Sequence, residues 1–268
     1  MLVEPIHVNI QNEPDSPGGD DAGESGSGAV EWGPAARHAL RQKVLAEMPR
    51  WYSPLGHVVF PGLVGIATIA VCLHYVTGLH ALELLTVPFT LVLSNAIEWH
   101  AHRDVLHKRT RIAPVLFDRH TPVHHKLFSS DDMAITDWRE LRNVLLPSFG
   151  VLAILSLQLP LLAVALFFGL RNIALLFLAT SMGYVLAYEW LHLAYHLPAD
   201  SLIGRRSSVR WLRRHHSLHH DHKLMQRWNM NVTLPLWDWL RGTVYRTGAT
   251  ARRRRATKSV RGLPSGLP

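Results

Sequence analysis

Residues 172–196 read NIALLFLATSMGYVLAYEWLHLAYH, and this stretch combines the two features that decide the fold. Its first 17 residues, from Asn172 to Tyr188, carry no fixed charge, and a Glu-x-x-His-x3-His pattern follows at once. A helix needs about 20 mainly apolar residues to cross a bilayer. The stretch therefore predicts a membrane-spanning helix that ends in potential metal ligands.

Three further apolar segments are long enough to cross a membrane. With the first stretch, the predicted spans lie near residues 56–76, 81–101, 144–170 and 172–188. Helices satisfy all their backbone hydrogen bonds within lipid, so apolar segments of this length indicate helices. The sequence predicts an all-α, polytopic membrane protein with about four transmembrane helices and a cytoplasmic helical cap that carries the histidine clusters described below.

A few residues mark expected irregularities in these spans. Thr77-Gly78 is expected to end the first span, and Pro88 is a potential kink in the second. Pro147 and Pro160 both fall within the third.

The rest of the chain divides by composition. Residues 1–33 contain seven acidic residues, six glycines and no lysine or arginine, which predicts a disordered acidic tail. This tail lacks the basic start and apolar stretch of a secretion signal, so we expect the N-terminus to stay in the cytoplasm. We predict an amphipathic, basic cytoplasmic segment over 34–54, a membrane catalytic domain over 55–246, and a basic disordered tail over 247–268.

The basic residues predict the orientation in the membrane. Twenty-seven of the 28 lysines and arginines lie before the first span, between residues 101 and 143, or from residue 197 onward. The two remaining connections hold only Arg171. By the positive-inside rule, both termini and the active site are expected on the cytoplasmic side of a multi-pass membrane protein.

Composition also excludes several classes of function. A lone cysteine, Cys72, cannot supply an internal disulfide, a zinc ribbon or a cysteine-ligated iron–sulfur cluster. The net charge of +8 and the run Arg252–Arg255 raise the question of nucleic acid, but none of the usual nucleic-acid modules is present. We therefore expect no nucleic-acid partner, and we expect anionic lipid at the basic cytoplasmic face.

The chain has 18 histidines, and most of them are clustered. All the clusters fall on the predicted cytoplasmic side, at or beyond the ends of spans. The four clusters are His102-x4-His107, His120-x3-His124-His125, His192-x3-His196 and His216-x2-His219-His220.

The spacing within these clusters has a geometric meaning. Residues four apart share one helix face, so His192 and His196, His120 and His124, and His216 and His220 are each expected to reach one metal. Adjacent histidines diverge by about 100° on a helix, so each doublet is expected to offer one ring to each of two neighbouring metals. The pair His102 and His107 requires a helix end or a distortion, because five residues correspond to about 140°. Ten imidazoles shared by two metals give about five ligands each, with a sixth position for oxygen or water.

The remaining histidines are assigned ordinary roles. His57 and His74 lie in apolar segments and are read as core or interface residues. His7, His38 and His80 are read as surface residues, and the three histidines beside the clusters are read as outer or surface residues: His100, His215 and His222.

In this order and with this hydropathy, the clusters resemble those of the fatty acid hydroxylase/sterol desaturase superfamily, over roughly residues 55–245. The stretch Asn231–Pro235, followed by Asp238 and Gly242-Thr243, also resembles the segment after the last cluster in that family. The His-x3-His-His cluster departs from the His-x2-His-His of many members. By matching position, the resemblance implies these metal ligands: His102, His107, His120, His124, His125, His192, His196, His216, His219 and His220.

The resemblance implies a membrane-bound non-haem di-iron enzyme. Its cofactors would be two iron ions, for which zinc could substitute in purified protein, and its co-substrate would be O2. The expected reaction is hydroxylation or desaturation of a lipid. Carboxylates are expected to orient the rings and balance charge, with Glu189 and Asp221 as the predicted catalytic pair; the other candidates are Glu98, Asp104, Asp118, Asp137 and Asp238.

A site at the membrane boundary indicates a membrane lipid as substrate. Electrons must come from a separate donor, a ferredoxin, cytochrome or reductase, because the chain has no dinucleotide fingerprint and no His-Pro-Gly-Gly of a fused cytochrome domain. The basic face is expected to attract an acidic donor.

Three alternatives remain open at this stage. The soluble ferritin-like fold is disfavoured because the chain has a single Glu-x-x-His element. A histidine-rich metal transporter or metal-sensing protein needs ligands near mid-membrane, whereas these clusters gather at one face. A catalytically silent relative that uses metals only for stability is the third.

Overall fold

Four long helices form the framework of the protein. The computed structural model describes residues 33–246, so the predicted tails lie outside the described residues apart from Gly33. Each of the four is long and apolar enough to cross a membrane. They are α2 (Pro54–Tyr75), a composite span Ala81–Leu106 built around α3 (Thr86–Ala101), α7 (Gly150–Phe167) and α8 (Arg171–His196).

The four predicted spans are confirmed, with differences at their ends. Pro147 precedes α7 rather than lying inside it, whereas Pro160 is within the helix. Pro88 lies in the first turn of α3, where its missing N–H is not needed for the helix hydrogen bonds. Gly78 adopts a positive φ of 58° in the turn after α2, as expected for the residue that breaks the helix.

Helix α8 is the central span. It packs against α2, α3 and α7, and 44 % of its most apolar window is buried, compared with 6 % for α7. The approach of α2 to α8 is close, because a Cβ added at Gly65 would lie 2.8 Å from Leu186. The apolar side chains on the outer faces of α2, α3 and α7 are exposed, as expected for helices that face lipid.

Hydrogen bonds show that α7 runs in the same direction as α2, and α8 in the opposite direction. The Nε2 atom of His57, near the start of α2, lies 2.7 Å from the carbonyl oxygen of Leu146, just before α7. At the other end, Asn172 at the start of α8 donates to the carbonyl of Thr77, just after α2, at 2.9 Å. The starts of α2 and α7 and the ends of α3 and α8 therefore lie together at one end of the bundle, which we call the site end.

Short helices cover the site end. They are α1 (Pro34–Ala46), α4 (Pro114–Arg119), α5 (His125–Leu127), α6 (Leu141–Val144), α9 (Ser207–His219) and α10 (Leu236–Arg241). Two π-helical turns, His102–Leu106 and His120–His124, and two 3-10 turns, Ala81–Leu85 and Trp138–Glu140, complete the helical structure of the described residues.

Helix α1 belongs to this cover. Its Val44 packs in one apolar cluster with Leu127 and Phe128. Its Arg41 is buried and forms an ion pair with the fully buried Glu140, with an N···O distance of 3.0 Å. Part of the positive charge before the first span is therefore neutralised by an ion pair inside the protein.

Candidate metal centre

The first histidine cluster is shaped by a π-helical turn. In the turn His102–Leu106, the backbone N–H of His107 donates to the carbonyl oxygen of His102, five residues back, at 3.1 Å. This wider turn brings positions five apart onto one face, and both rings are buried and stacked at 5.1 Å between centroids. The predicted distortion between His102 and His107 is confirmed.

A second π-helical turn, His120–His124, does the same for the second cluster. The N–H of His125 donates to the carbonyl of His120, so His120 shares a face with His125. The Nε2 atoms of these two rings are 3.1 Å apart. The prediction that His120 and His124 reach the same metal is wrong, because it assumed the regular α-helical turn.

Regular helix supplies the other two clusters. His192 and His196 occupy consecutive turns at the end of α8. His216 and His219 lie on the buried face of α9, and His220 caps its C-terminus. His216 and His220 come together with their Nε2 atoms 3.1 Å apart, as their spacing of four predicts.

The ten histidines form two groups of five. In each group, the potential ligand atoms lie within 4.8 Å of one another, and all ten residues are buried. The doublets His124-His125 and His219-His220 each contribute one ring to each group, as predicted. Group A is His102, His107, His120, His125 and His219, and group B is His124, His192, His196, His216 and His220.

Backbone carbonyls orient five of the rings. In each case the Nδ1 atom lies 2.6–2.9 Å from a carbonyl oxygen, so it must carry the proton and donate. Their Nε2 atoms are left as bare lone pairs that point into the groups. These bonds join His102 to Met230, His124 to Asn143, His196 to Met133, His219 to Trp228 and His220 to Phe128.

Each group contains two rings whose Nε2 lone pairs point at each other. In group B, the Nε2 atoms of His124 and His220 are 3.2 Å apart although both rings donate from Nδ1. In group A, the Nε2 atoms of His107 and His219 are 2.9 Å apart. His107 Nδ1 donates to the Thr121 hydroxyl, because that hydroxyl gives its own proton to the Leu106 carbonyl at 2.8 Å.

Two lone pairs at such distances repel each other unless a cation lies between them. Two nitrogens bound to one metal ion about 2.1 Å away, at a right angle, lie about 3 Å apart. His196 adds a buried Nε2 with no hydrogen-bond partner, and His192 adds a buried ring whose one backbone contact is with Val144. The residues therefore fit two metal ions, one in each group.

Burial keeps the rings neutral, which is the form that binds metal. It holds the pKa of His120, His124 and His125 well below the usual range, and it lowers the pKa of His107 to about 2. The histidines of α9 and its cap share this behaviour: His216, His219 and His220. A bridging imidazolium is thus disfavoured as an explanation for the short contacts between rings.

The sequence predicts that carboxylates orient the rings, but in the structure backbone carbonyls orient five of them. Asp238 supports the ring of His102 indirectly. It accepts from the backbone N–H of Met230 at 3.0 Å, and the carbonyl of Met230 accepts from His102. Burial alone would raise the pKa of Asp238, but hydrogen bonds from His215, Thr243 and Asn231 hold it below its ordinary value.

Glu98 ties the same segment to the spans. Its buried carboxylate accepts from the hydroxyl of Tyr184 and from the backbone N–H groups of Val232 and Thr233, which binds α3 and α8 to the segment after the last histidine cluster. The other candidates form ion pairs away from the rings: Asp104 with Arg103 and Lys108, Asp118 with Arg109, and Asp137 with Arg139.

The two predicted catalytic carboxylates lie in different surroundings. Glu189 is buried in α8, one turn before His192, and accepts from the backbone N–H of Leu146 at 3.2 Å. Asp221 is partly exposed after His220 and accepts from the backbone N–H of Lys223 at 2.9 Å. Among the described residues, neither carboxylate forms a hydrogen bond with any of the ten rings.

Two histidines outside the groups take structural roles. His57 is buried, with Nδ1 2.8 Å from the Tyr52 hydroxyl and Nε2 2.7 Å from the Leu146 carbonyl, as expected for a core residue. His215 is 3.2 Å from Asp238, while His100 is exposed.

Sequence reasoning missed the five carbonyl acceptors and a partly buried arginine, Arg119, beside the site. A carbonyl oxygen has no residue-type signature, so no pattern could have identified those acceptors. Arg119 directly precedes His120, but it resembles the other basic residues that set membrane topology.

Comparison with known proteins agrees with this geometry. A family model described as fatty acid hydroxylase matches residues 87–243, which is more than half of the chain and includes all ten histidines. Neither the curated proteins nor the solved structures give a significant match.

Proposed function

Because the chain belongs to the fatty acid hydroxylase family, we propose that it is a membrane-bound, non-haem di-iron oxygenase that hydroxylates a C–H position of a lipid. The observation that carries the proposal is the pair of facing Nε2 lone pairs in each group of five histidines. We take all ten residues of groups A and B as the metal ligands.

The reaction needs electrons as well as O2. Hydroxylation converts R–H, O2, two electrons and two protons into R–OH and water. Desaturation, the related outcome, removes two hydrogens from the lipid, and both oxygen atoms leave as water. Iron held by neutral imidazoles would supply the activation of dioxygen.

The chain's own residues hold the rings and shape the surroundings. The carbonyl acceptors fix five of the ten rings before metal arrives, so little reorganisation of those rings is needed on binding. Beside the groups lies a cleft with apolar walls that include Leu106, Leu116 and Val144. The four spans place the groups beside lipid, which supports a lipid substrate.

We propose that Glu189 acts by positioning. Its carboxylate accepts from the N–H of Leu146, which lines the cleft, and it precedes His192 by one turn. Asp221, next to His220, stays a proposed participant in proton supply at the more exposed side of the site.

Electrons are proposed to enter through α9. Its buried face carries His216 and His219, while Arg210 and Arg214 on the same helix are exposed. A separate acidic donor, a ferredoxin, cytochrome or reductase, would be attracted to this basic face. We propose that the site end and both termini face the cytoplasm and that basic residues near the spans contact anionic lipid.

A histidine-rich metal transporter or sensor is the alternative, and the site geometry gives it less support. Transport ligands are expected near the middle of the membrane, between broken helices. Here the ligands gather at the ends of α3 and α8, and the carbonyl bonds fix the rings rather than leave them free to release an ion.

Isotope labelling tests the proposed function. Membranes that contain the protein, supplied with a reductant and ¹⁸O2, are expected to yield lipids that carry one ¹⁸O atom, measured by mass spectrometry. A lipid that loses two hydrogens without gaining ¹⁸O indicates desaturation instead. The absence of any O2-dependent lipid product, in a protein with a full metal complement, would contradict the proposal.

A further inference from the structure

A second cavity lies beside α9, away from the helix face that carries His216 and His219. Its volume is about 220 Å³, far more than the roughly 15 Å³ that one water molecule needs. Four residues of α9 line it, and their spacing of three and four places them on one face of the helix: Arg210, Arg213, Arg214 and Ser217. We call this cavity the arginine pocket.

Two further segments complete the walls of the arginine pocket. Ser130, Asp131 and Met133 come from the segment after α5, and Gly204 comes from the turn between α8 and α9. This turn is closely packed, because a Cβ added at Gly204 would collide with the carbonyl oxygen of Pro198. The pocket is therefore built by three parts of the chain, and its walls belong to the fold.

The charge of the arginine pocket is not balanced by the described residues. Within residues 33–246, none of its three arginines forms an ion pair with a carboxylate, and the guanidinium of Arg213 donates to the carbonyl of Leu197 at 3.0 Å. Asp131 lines the pocket, but its carboxylate lies 3.7 Å from the guanidinium of Arg37. A hydrogen bond from Ser129 holds the pKa of Asp131 below its usual range, so this group is ionised. Three guanidinium groups against one carboxylate leave two positive charges for an anion to neutralise.

We propose that the arginine pocket binds a phosphate monoester, at a site separate from the metal centre. Guanidinium groups bind phosphate oxygens through pairs of parallel N–H···O bonds. A phosphate monoester carries about 1.5 to 2 negative charges at pH 7, which matches the excess positive charge of the pocket. The volume leaves room for an organic group beside the phosphate. A lipid head group and a soluble phosphate ester share this chemistry.

The arginine pocket shares residues with the support of group B. The carbonyl of Met133, a lining residue, accepts from His196 Nδ1 at 2.7 Å. Arg214 and Ser217 flank the group B ligand His216 along α9. A phosphate bound in the pocket would therefore join α9 to the segment that orients His196, and a ligand that binds only the folded protein raises its unfolding temperature.

Equilibrium dialysis tests the proposal without turnover. The full-length protein in neutral detergent is titrated with two radiolabelled probes, glycerol 3-phosphate and the short-chain lipid dihexanoylphosphatidic acid, and succinate is added as a dicarboxylate competitor. We expect saturable binding of a phosphate probe, and succinate should compete at least about tenfold less well than the unlabelled probe, the effect of one charge-assisted contact.

The two probes distinguish the source of the phosphate. Tighter binding of the lipid supports a head-group site, and equal binding supports a site for a soluble ester. Failure of both probes to saturate would overturn the proposal. Equal competition by succinate would also overturn it, because it would indicate a site for the carboxylates of an acidic protein.

Variants locate the binding at α9. Arg210→Gln and Arg214→Gln are each expected to weaken binding about tenfold, and the double variant to abolish it. The control Arg205→Gln removes the same charge from an exposed arginine that does not line the pocket, so it should bind normally. Unchanged binding in the double variant, or an equal loss in Arg205→Gln, would overturn the proposal. If the double variant does not fold, the comparison with succinate on the natural protein decides alone.

The outcome is separable from the proposed function, because the binding requires neither O2 nor a reductant. Phosphate binding that is lost in His124→Ala but kept in the arginine variants would place the phosphate on the metal centre and overturn the proposal. A protein that binds the probes through Arg210 and Arg214, but forms no O2-dependent lipid product, refutes only the oxygenase.

Discussion

At the scale of single residues, the site depends on which ring nitrogen carries the proton. Five backbone carbonyls hold the proton on Nδ1, so Nε2 is free to bind metal in both groups. The sequence predicted the ten histidines, since residue type and spacing are visible in it. It could not predict these acceptors, because every residue has a carbonyl and only the fold decides which one meets a ring.

Replacing one histidine of a facing pair should remove metal. We expect His124→Ala to lose at least the metal ion of group B, because it deletes one ligand and leaves His220 without its counterpart. The measurement is the metal-to-protein ratio of purified protein. The control is His100→Ala, which changes an exposed histidine close to His102. An unchanged ratio in His124→Ala would show that group B does not hold the ion.

Asp238→Asn should weaken the support of His102. The buried carboxylate accepts from the backbone N–H groups of Met230 and Asn231 and from Trp99 Nε1, and an amide cannot accept all of these bonds. Hydrogen bonds to a charged group contribute about 2 kcal/mol each, so we expect a loss of about 2 kcal/mol in the free energy of unfolding. Thermal unfolding in detergent measures it, with the exposed Asp200→Asn as control. Equal unfolding temperatures for the two variants would refute this role.

At the scale of elements, two π-helical turns decide which histidines fall into the same group of potential ligands. The sequence showed that the pair His102 and His107 needs a distortion, because five residues do not fit one face of a regular helix. The sequence does not indicate a distortion at His120, because its spacing of four from His124 fits a regular helix. The second π-turn pairs His120 with His125 instead, and this depends on contacts between clusters that are distant in sequence.

The close contact between α2 and α8 gives a test of helix packing. Gly65→Ala places a Cβ 2.8 Å from Leu186, which must move, so we expect a destabilisation of about 1–3 kcal/mol. Gly62→Ala is the matched control, since a Cβ there meets no atom within 4 Å and alanine favours helix. Unfolding in detergent compares the two. A Gly65→Ala protein as stable as Gly62→Ala would contradict the packing described.

The docking of α1 depends on a buried ion pair. Glu140→Gln removes the closer of the two carboxylates that pair with the buried Arg41 and leaves only Asp132, at 3.9 Å, and losing a buried charge partner costs about 3 kcal/mol. We expect α1 to become accessible to limited proteolysis. Glu47→Gln, in the exposed pair with Lys43, should have almost no effect. Identical cleavage of the two variants would show that the Arg41–Glu140 pair does not hold α1 in place.

At the scale of the whole molecule, the alternating spans bring all four clusters to one end. Hydropathy predicted the number and approximate limits of the spans, because lipid leaves the backbone few alternatives to helix. The sequence does not predict how the short helices cover the site end. Buried ion pairs and carbonyl contacts hold this cover, and these leave no repeating pattern in the sequence.

The basic residues predict which end faces the cytoplasm. A reporter fused at Gly78, in the turn between the first two spans, is expected to report the side opposite the cytoplasm. A matched fusion after residue 246 should report the cytoplasm. A cytoplasmic signal at Gly78 would reverse the proposed topology.

The central claim is that the ten histidines hold two metal ions. Metal analysis by mass spectrometry, on protein purified after expression with added iron, tests it most directly. The account predicts about two metal ions per chain, as iron or as substituting zinc, because the ligand atoms form two separate groups of five. A well-folded protein with no stoichiometric metal, or with a single ion, would contradict it.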